Sequence, residues 1–135
     1  MAVEEIVTQL TTHWKFDYEP KIKALRDLYE VAKKQQWNAA TDISWDLEID
    51  PDGNILDPSQ DALRELDVIK ALPEETQKKL SVCNAAWILS QLLHGEQGAL
   101  LCCGQLVEAV PDIDGKLYAA TQVIDEARHV EVFYR

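Results

Sequence analysis

The chain has 135 residues, 47% of them hydrophobic and 27% charged, and its 13 basic against 24 acidic side chains leave a formal net charge of −11. The length suits one domain and the composition supports a core, which argues against a disordered tail, a collagen-like repeat or a disulfide scaffold. An acidic surplus of this size repels phosphate backbones and anionic lipid, so no nucleic-acid and no membrane partner is expected, while metal cations remain.

A first helix is expected over residues 2–13 and a second over 20–36, where Pro20 suits the first helical position and Ile22, Leu25, Leu28, Tyr29 and Ala32 form an apolar stripe. Residues 37–56 lose this periodicity. Asn38, Asp42, Asp46, Asp50, Pro51, Asp52, Gly53 and Asn54 are turn formers, and the stretch reads as an ordered loop anchored by Trp37, Ile43 and Trp45. Asp57, Pro58 and Gln60 supply a cap, a proline and a reciprocal amide that open a short helix to residue 72. Pro73, Glu74 and Glu75 then start a helix carried to residue 109, about 50 Å long at 1.5 Å per residue. Pro111 ends it, Asp112 or Asp114 is expected to cap the last helix, and that helix keeps its apolar pattern to residue 135. The expected fold class is all-α: two long antiparallel helices preceded by shorter ones.

Short apolar runs and the lack of a basic-then-apolar segment in residues 1–10 predict neither a transmembrane span nor a signal peptide. Cys83, Cys102 and Cys103 are an odd set with two neighbours, which fits free thiols in a reducing cytoplasm. Cys102 and Cys103 read as core filler, Gly95, Gly98 and Gly104 as points of close helix contact, and the four tryptophans as packing anchors. His13 and His94 read as ordinary surface or partly buried histidines.

Two carboxylates interrupt apolar stripes. Leu89, Leu92, Glu96, Leu100, Cys103 and Val107 follow one another at spacings of three and four, as do Ala119, Val123, Glu126, Val130 and Phe133. His129 lies one turn beyond Glu126. An unpaired buried carboxylate costs several kcal/mol, so each glutamate must neutralise, pair with a cation such as Arg128, or bind a metal. Antiparallel helices joined at Pro111 place residues equally far from the turn at one height, and 111 − 96 and 126 − 111 are both 15. Glu96 and Glu126 are therefore expected to face each other, with His129 beside them. Oxygen and imidazole donors together suit iron or manganese.

The segment from His94 to Tyr134, with HGEQGAL on one helix and DEARHVEVF on the next, resembles the carboxylate-bridged diiron proteins of the ferritin-like superfamily. Its spacing of thirty is similar to the branch holding the bacterial multicomponent monooxygenase hydroxylases and the ribonucleotide reductase small subunit. The resemblance implies a ferritin-like helical bundle in which Glu96, Glu126 and His129 bind a diiron centre, with Glu126 bridging. It also implies O₂ as a reactant, hydroxylation or a related oxidation of a small organic substrate, and a separate reductase as electron donor. Leu92, Leu100, Cys103, Val123, Val130 and Phe133 would form a dry wall, with room at Gly98 and Ala99, and Asp125 or an aspartate from another segment would orient the histidine. A radical-storing subunit resembling the ribonucleotide reductase small subunit would carry a tyrosine about two turns past the bridging glutamate; Phe133 stands seven positions after Glu126 and Tyr134 is off that face, so the resemblance leans toward oxygenase chemistry.

Superfamily members repeat the motif, whereas this chain has no second Glu-x-x-His; the run from Gln91 to His94 only mimics it. Two arrangements complete six ligands: a two-fold homodimer, or a C-terminal half of a larger domain, which the missing stop signal favours. The alternatives to a diiron oxygenase are a ferroxidase or iron-handling dimer and a non-catalytic helical fragment that dimerises.

Overall fold

The computed structural model describes residues 5–48, 59 and 61–135, and among these all regular structure is helical: α1 (Lys23–Lys34), a 3-10 turn (Ala62–Glu65), the one-turn α2 (Asp67–Lys70), α3 (Glu74–Ala109) and α4 (Ile113–Tyr134). Pro73 sits at the N-cap of α3 with Glu74 and Glu75 in the first turn, and the helix ends at Val110, just before Pro111. With 36 residues α3 is about 54 Å long, against about 33 Å for the 22 residues of α4. The tight turn at 110–112 folds them into an antiparallel hairpin, so α4 covers only the later part of α3. On the earlier part, the Ser81 hydroxyl of α3 donates to the Asp61 carboxylate, which also accepts from the Leu63 N–H. Asp61 is thus the cap of the 3-10 turn; the predicted cap at Asp57, Pro58 and Gln60 lies outside the described residues.

Helix α4 is the shared element, with α3 packed on one side and α1 on the other. What docks α1 is Asp114. The sequence suggested it as a cap for its own helix, but Asp112 takes the N-cap position of α4 without a side-chain bond, and Asp114 turns to α1 instead. Its Oδ2 accepts from the backbone N–H groups of Lys21 (2.7 Å) and Ile22 (2.9 Å), and its Oδ1 accepts from Arg26 Nε (2.9 Å). This carboxylate from another helix caps α1, which explains why α1 begins at Lys23 and not at Pro20.

The helix predicted over residues 2–13 does not form in its described part. Residues 5–15 have no helical structure, and they pass along the end of α3, where the His13 N–H donates to the Glu108 carbonyl at 3.1 Å. Six β-branched residues (Val3, Ile6, Val7, Thr8, Thr11 and Thr12) and the lack of a cap weigh against a helix there.

The hydrophobic side chains that are fully buried among the described residues are Ala39, Ala85 and Ala119. The stripe expected to be buried on α3 is covered only near α4: Leu100, Cys103 and Val107 are half-buried, whereas Leu89 and Leu92 are exposed. Cys102 is exposed too, so it is not core filler. A Cβ built on Gly95, Gly98 or Gly104 meets nothing within 4 Å, so these are not close contacts within the chain. The glycine at a close approach is Gly115, where a Cβ would lie 3.4 Å from Val110 and 3.9 Å from Leu25. Trp37 and Trp45 anchor the loop as expected, Trp45 by donating Nε1–H to the Ala39 carbonyl at 2.6 Å although it is itself partly exposed, but Trp14 and Trp87 are far more exposed. No helix of the described residues is long and apolar enough to cross a membrane.

Candidate metal centre

The hairpin arithmetic holds in three dimensions. Glu96 on α3 and Glu126 on α4 meet across the seam, and His129 Nδ1 stands 3.3 Å from Glu96 Oε2 and 3.2 Å from Glu126 Oε2. One donor atom from each of the three residues lies within 4.8 Å of the others. Their side chains are 23%, 17% and 42% exposed for Glu96, Glu126 and His129, so the cluster is lodged in the seam with its histidine at the mouth. A groove of about 500 Å³ between α1 and α4 opens there, walled by Leu28, Val31, Trp37, Tyr118 and Gln122 beside Glu126 and His129. Tyr118 and Gln122 were missed from sequence, although Tyr118, Gln122 and Glu126 stand four apart on one face of α4.

The donor set fits a divalent cation. One Nδ1 carries at most one proton, so it cannot donate a full hydrogen bond to both carboxylates. Ligand atoms about 2.1 Å from one ion and at right angles lie about 3 Å apart, close to the 3.3 Å and 3.2 Å that separate His129 Nδ1 from the two carboxylates. Oxygen with imidazole nitrogen suits Fe(II) or Mn(II). No thiolate joins the cluster among the described residues: the donors that come together are Glu96, Glu126 and His129, and burial, with the nearby Glu126 carboxylate, pushes the Cys103 thiol up. His13 and His94 are exposed and join no cluster of donors.

Arg128, the rival partner for these glutamates, is engaged elsewhere. Its guanidinium pairs with Asp125, donates to Gln36 Oε1 (2.7 Å) and the Trp37 carbonyl (3.0 Å), and lies 5.1 Å from the Trp37 ring centroid. Asp125, expected to orient His129, is held by Arg128 and Gln122 instead. Arg128 therefore ties α4 to the start of the loop and fixes Trp37 at the groove. Replacing it with Met should leave Asp125 Oδ1, Gln36 Oε1 and the Trp37 carbonyl without the donor that Arg128 supplies and cost about 3 kcal/mol of stability, read as a lower urea midpoint. A change below about 0.5 kcal/mol, the level of an ordinary surface substitution, would contradict that role.

Fold and site together define a ferritin-like helical protein with a carboxylate–imidazole cluster in its long hairpin. Residues 19–135 match the family described as p-aminobenzoate N-oxygenase AurF, a ferritin-like family of diiron enzymes, and the chain belongs to that family. Membership narrows the superfamily resemblance and assigns a function of the diiron-oxygenase type. Comparison with curated proteins and with solved structures gave no match.

Proposed function

We propose that the chain supplies Glu96, Glu126 and His129 as iron ligands of a nonhaem diiron oxygenase acting on a small organic substrate, with an aromatic amine of the p-aminobenzoate kind as the first substrate to try. The observation that carries this reading is the three-donor cluster itself, lodged in the seam with no guanidinium or ammonium paired to its carboxylates among the described residues. In net terms one atom of O₂ goes to the substrate and the other leaves as water, with two electrons and two protons supplied by a reductase and solvent. Ferrous iron, when bound, supplies the reduction of O₂.

The chain's own residues do the rest. The two carboxylates hold the cationic charge, and the hairpin fixes their separation. Leu28, Val31 and Trp37 give the groove apolar walls, and Gln122 places an amide beside Glu126 for a polar substituent. A reducing cytoplasm suits the three free thiols. The remaining ligands of a two-iron set come from outside this chain's own trio, through a second copy or a further polypeptide segment.

Anaerobic loading with Fe(II), followed by metal analysis and O₂ uptake, tests the reading. Uptake that requires both a reductant and an organic amine is the expected result. Uptake with iron alone would favour a ferroxidase or iron-handling dimer. Failure to retain iron in any assembly would leave a non-catalytic helical fragment.

A further inference from the structure

Helix α1 is fastened at both ends and undercut along both flanks. None of its 12 residues is fully buried. On one flank lies the groove of about 500 Å³ at Glu126 and His129, where Leu28 and Val31 stay 45% and 47% exposed. On the other, a second groove of about 290 Å³ separates Tyr29, Lys33 and Gln36 from Leu117, Thr121 and Ile124 of α4. With open space under both edges, little apolar area docks α1, so its hold on α4 falls to the polar contacts at its ends.

Those two contacts are unequal. At the start of α1 the Asp114 carboxylate is 1% exposed, accepts from the Lys21 and Ile22 N–H groups and pairs with Arg26 at 2.7 Å. Just past its end, Arg128 donates to two neutral acceptors, Gln36 Oε1 and the Trp37 carbonyl, while its buried Nε–H has no hydrogen-bond partner among the described residues. The charge of Arg128 is already answered on its own helix by Asp125. Releasing Gln36 and Trp37 therefore strands no buried charge, whereas parting Asp114 from Arg26 does.

We propose that α1 is a strap across the metal groove, hinged at Asp114 and latched by Arg128, which opens from the latch while the α3–α4 hairpin stays folded. A helix of 12 residues does not persist in water unaided, so the released end melts instead of swinging out as a rod. Leu28, Val31 and Trp37 leave the groove wall together, and the way to Glu126 and His129 widens. Helix α4 keeps its footing, because α3 remains packed on its other side. What the opening admits, metal or substrate, rests on the diiron reading; the motion itself rests on how α1 is held.

Hydrogen exchange of the full, metal-free chain reads the motion. Amides of residues 27–34 should exchange at least about 100-fold faster than those of residues 117–130, with Lys21 and Ile22 slower than 27–34. Thr121 supplies a second readout, being 5% exposed on the floor beneath the latch. The thiol of a Thr121→Cys variant, followed by peptide mass to set aside the native cysteines, should be labelled through the same opening. Gln36→Met keeps the side-chain length but removes the oxygen that Arg128 holds, and should quicken both readouts at least about fivefold while residues 117–130 exchange as before. Loss of Mn(II) from the loaded chain to EDTA should quicken with them. Exchange of residues 27–34 no faster than that of 117–130, Lys21 and Ile22 opening first, or Thr121→Cys labelling indifferent to Gln36→Met would overturn the strap. Release of bound Mn(II) that ignores Gln36→Met would overturn it as well. A chain that opens as described but holds no Mn(II) would instead remove the diiron reading and leave the strap standing.

Discussion

Glu126→Ala is expected to abolish tight iron binding, lowering affinity by at least about 100-fold, a larger loss than the 10–100-fold typical of outer groups around a metal. Glu126 is the least exposed of the three donors, and its carboxylate is 3.2 Å from His129 Nδ1, so removing it takes away the proposed ligand and unseats its neighbour. The fold should survive. Glu126 shares its one described partner with Glu96, and the substitution removes one of two like charges at the seam, so the thermal midpoint should stay level or rise. Glu126→Gln separates charge from shape, since it keeps the volume and one acceptor oxygen but loses the charge; its iron content should fall nearly as far. Metal analysis after gel filtration reads both variants, and iron retained at the wild-type level in either would dismiss Glu126 as a ligand.

The largest effect on stability is expected from Asp114→Ala. Asp114 is 1% exposed, and its two oxygens hold the start of α1 and the Arg26 side chain. Without it two backbone N–H groups lose their acceptor and α1 loses its only observed cap, so the thermal midpoint should drop by about 10 °C. The N–H groups of Ile22 and Lys21, with the Arg26 guanidinium, hold the Asp114 carboxyl below the usual aspartate range. A folded-state value below the unfolded one gives stability that is complete above about pH 4 and is lost as pH falls through the folded value. Asp114→Asn, which cannot titrate, should therefore show a flatter acid limb than the wild type in a pH series of unfolding midpoints. Parallel acid limbs would show that Asp114 does not contribute this dependence.

The hairpin was legible from sequence because its signals are local: Pro73 and Pro111 bound α3, and counting outward from Pro111 sets Glu96 level with Glu126. The rest depends on partners distant in sequence. Nothing near Asp114 announces that it caps a helix 92 residues earlier, and nothing near Arg128 points to Gln36 and Trp37. The stripe through Leu89 and Leu92 was read as buried because periodicity reports an apolar face without saying which surface meets it. A helix was expected over residues 2–13 from helical periodicity, while in the described part β-branching and the contact of His13 with Glu108 prevailed.

The borrowed cap of α1 also bears on how the chain comes off the ribosome. Twelve residues are too few for a helix to persist in water by itself, and α1 has no acidic residue in its first turn. Arg26 is made 88 residues before Asp114, a delay of roughly 4 to 18 s at about 5–20 residues per second of synthesis. Throughout that interval the segment waits as coil, and the wall it builds against Glu126 and His129 is translated early but sets last.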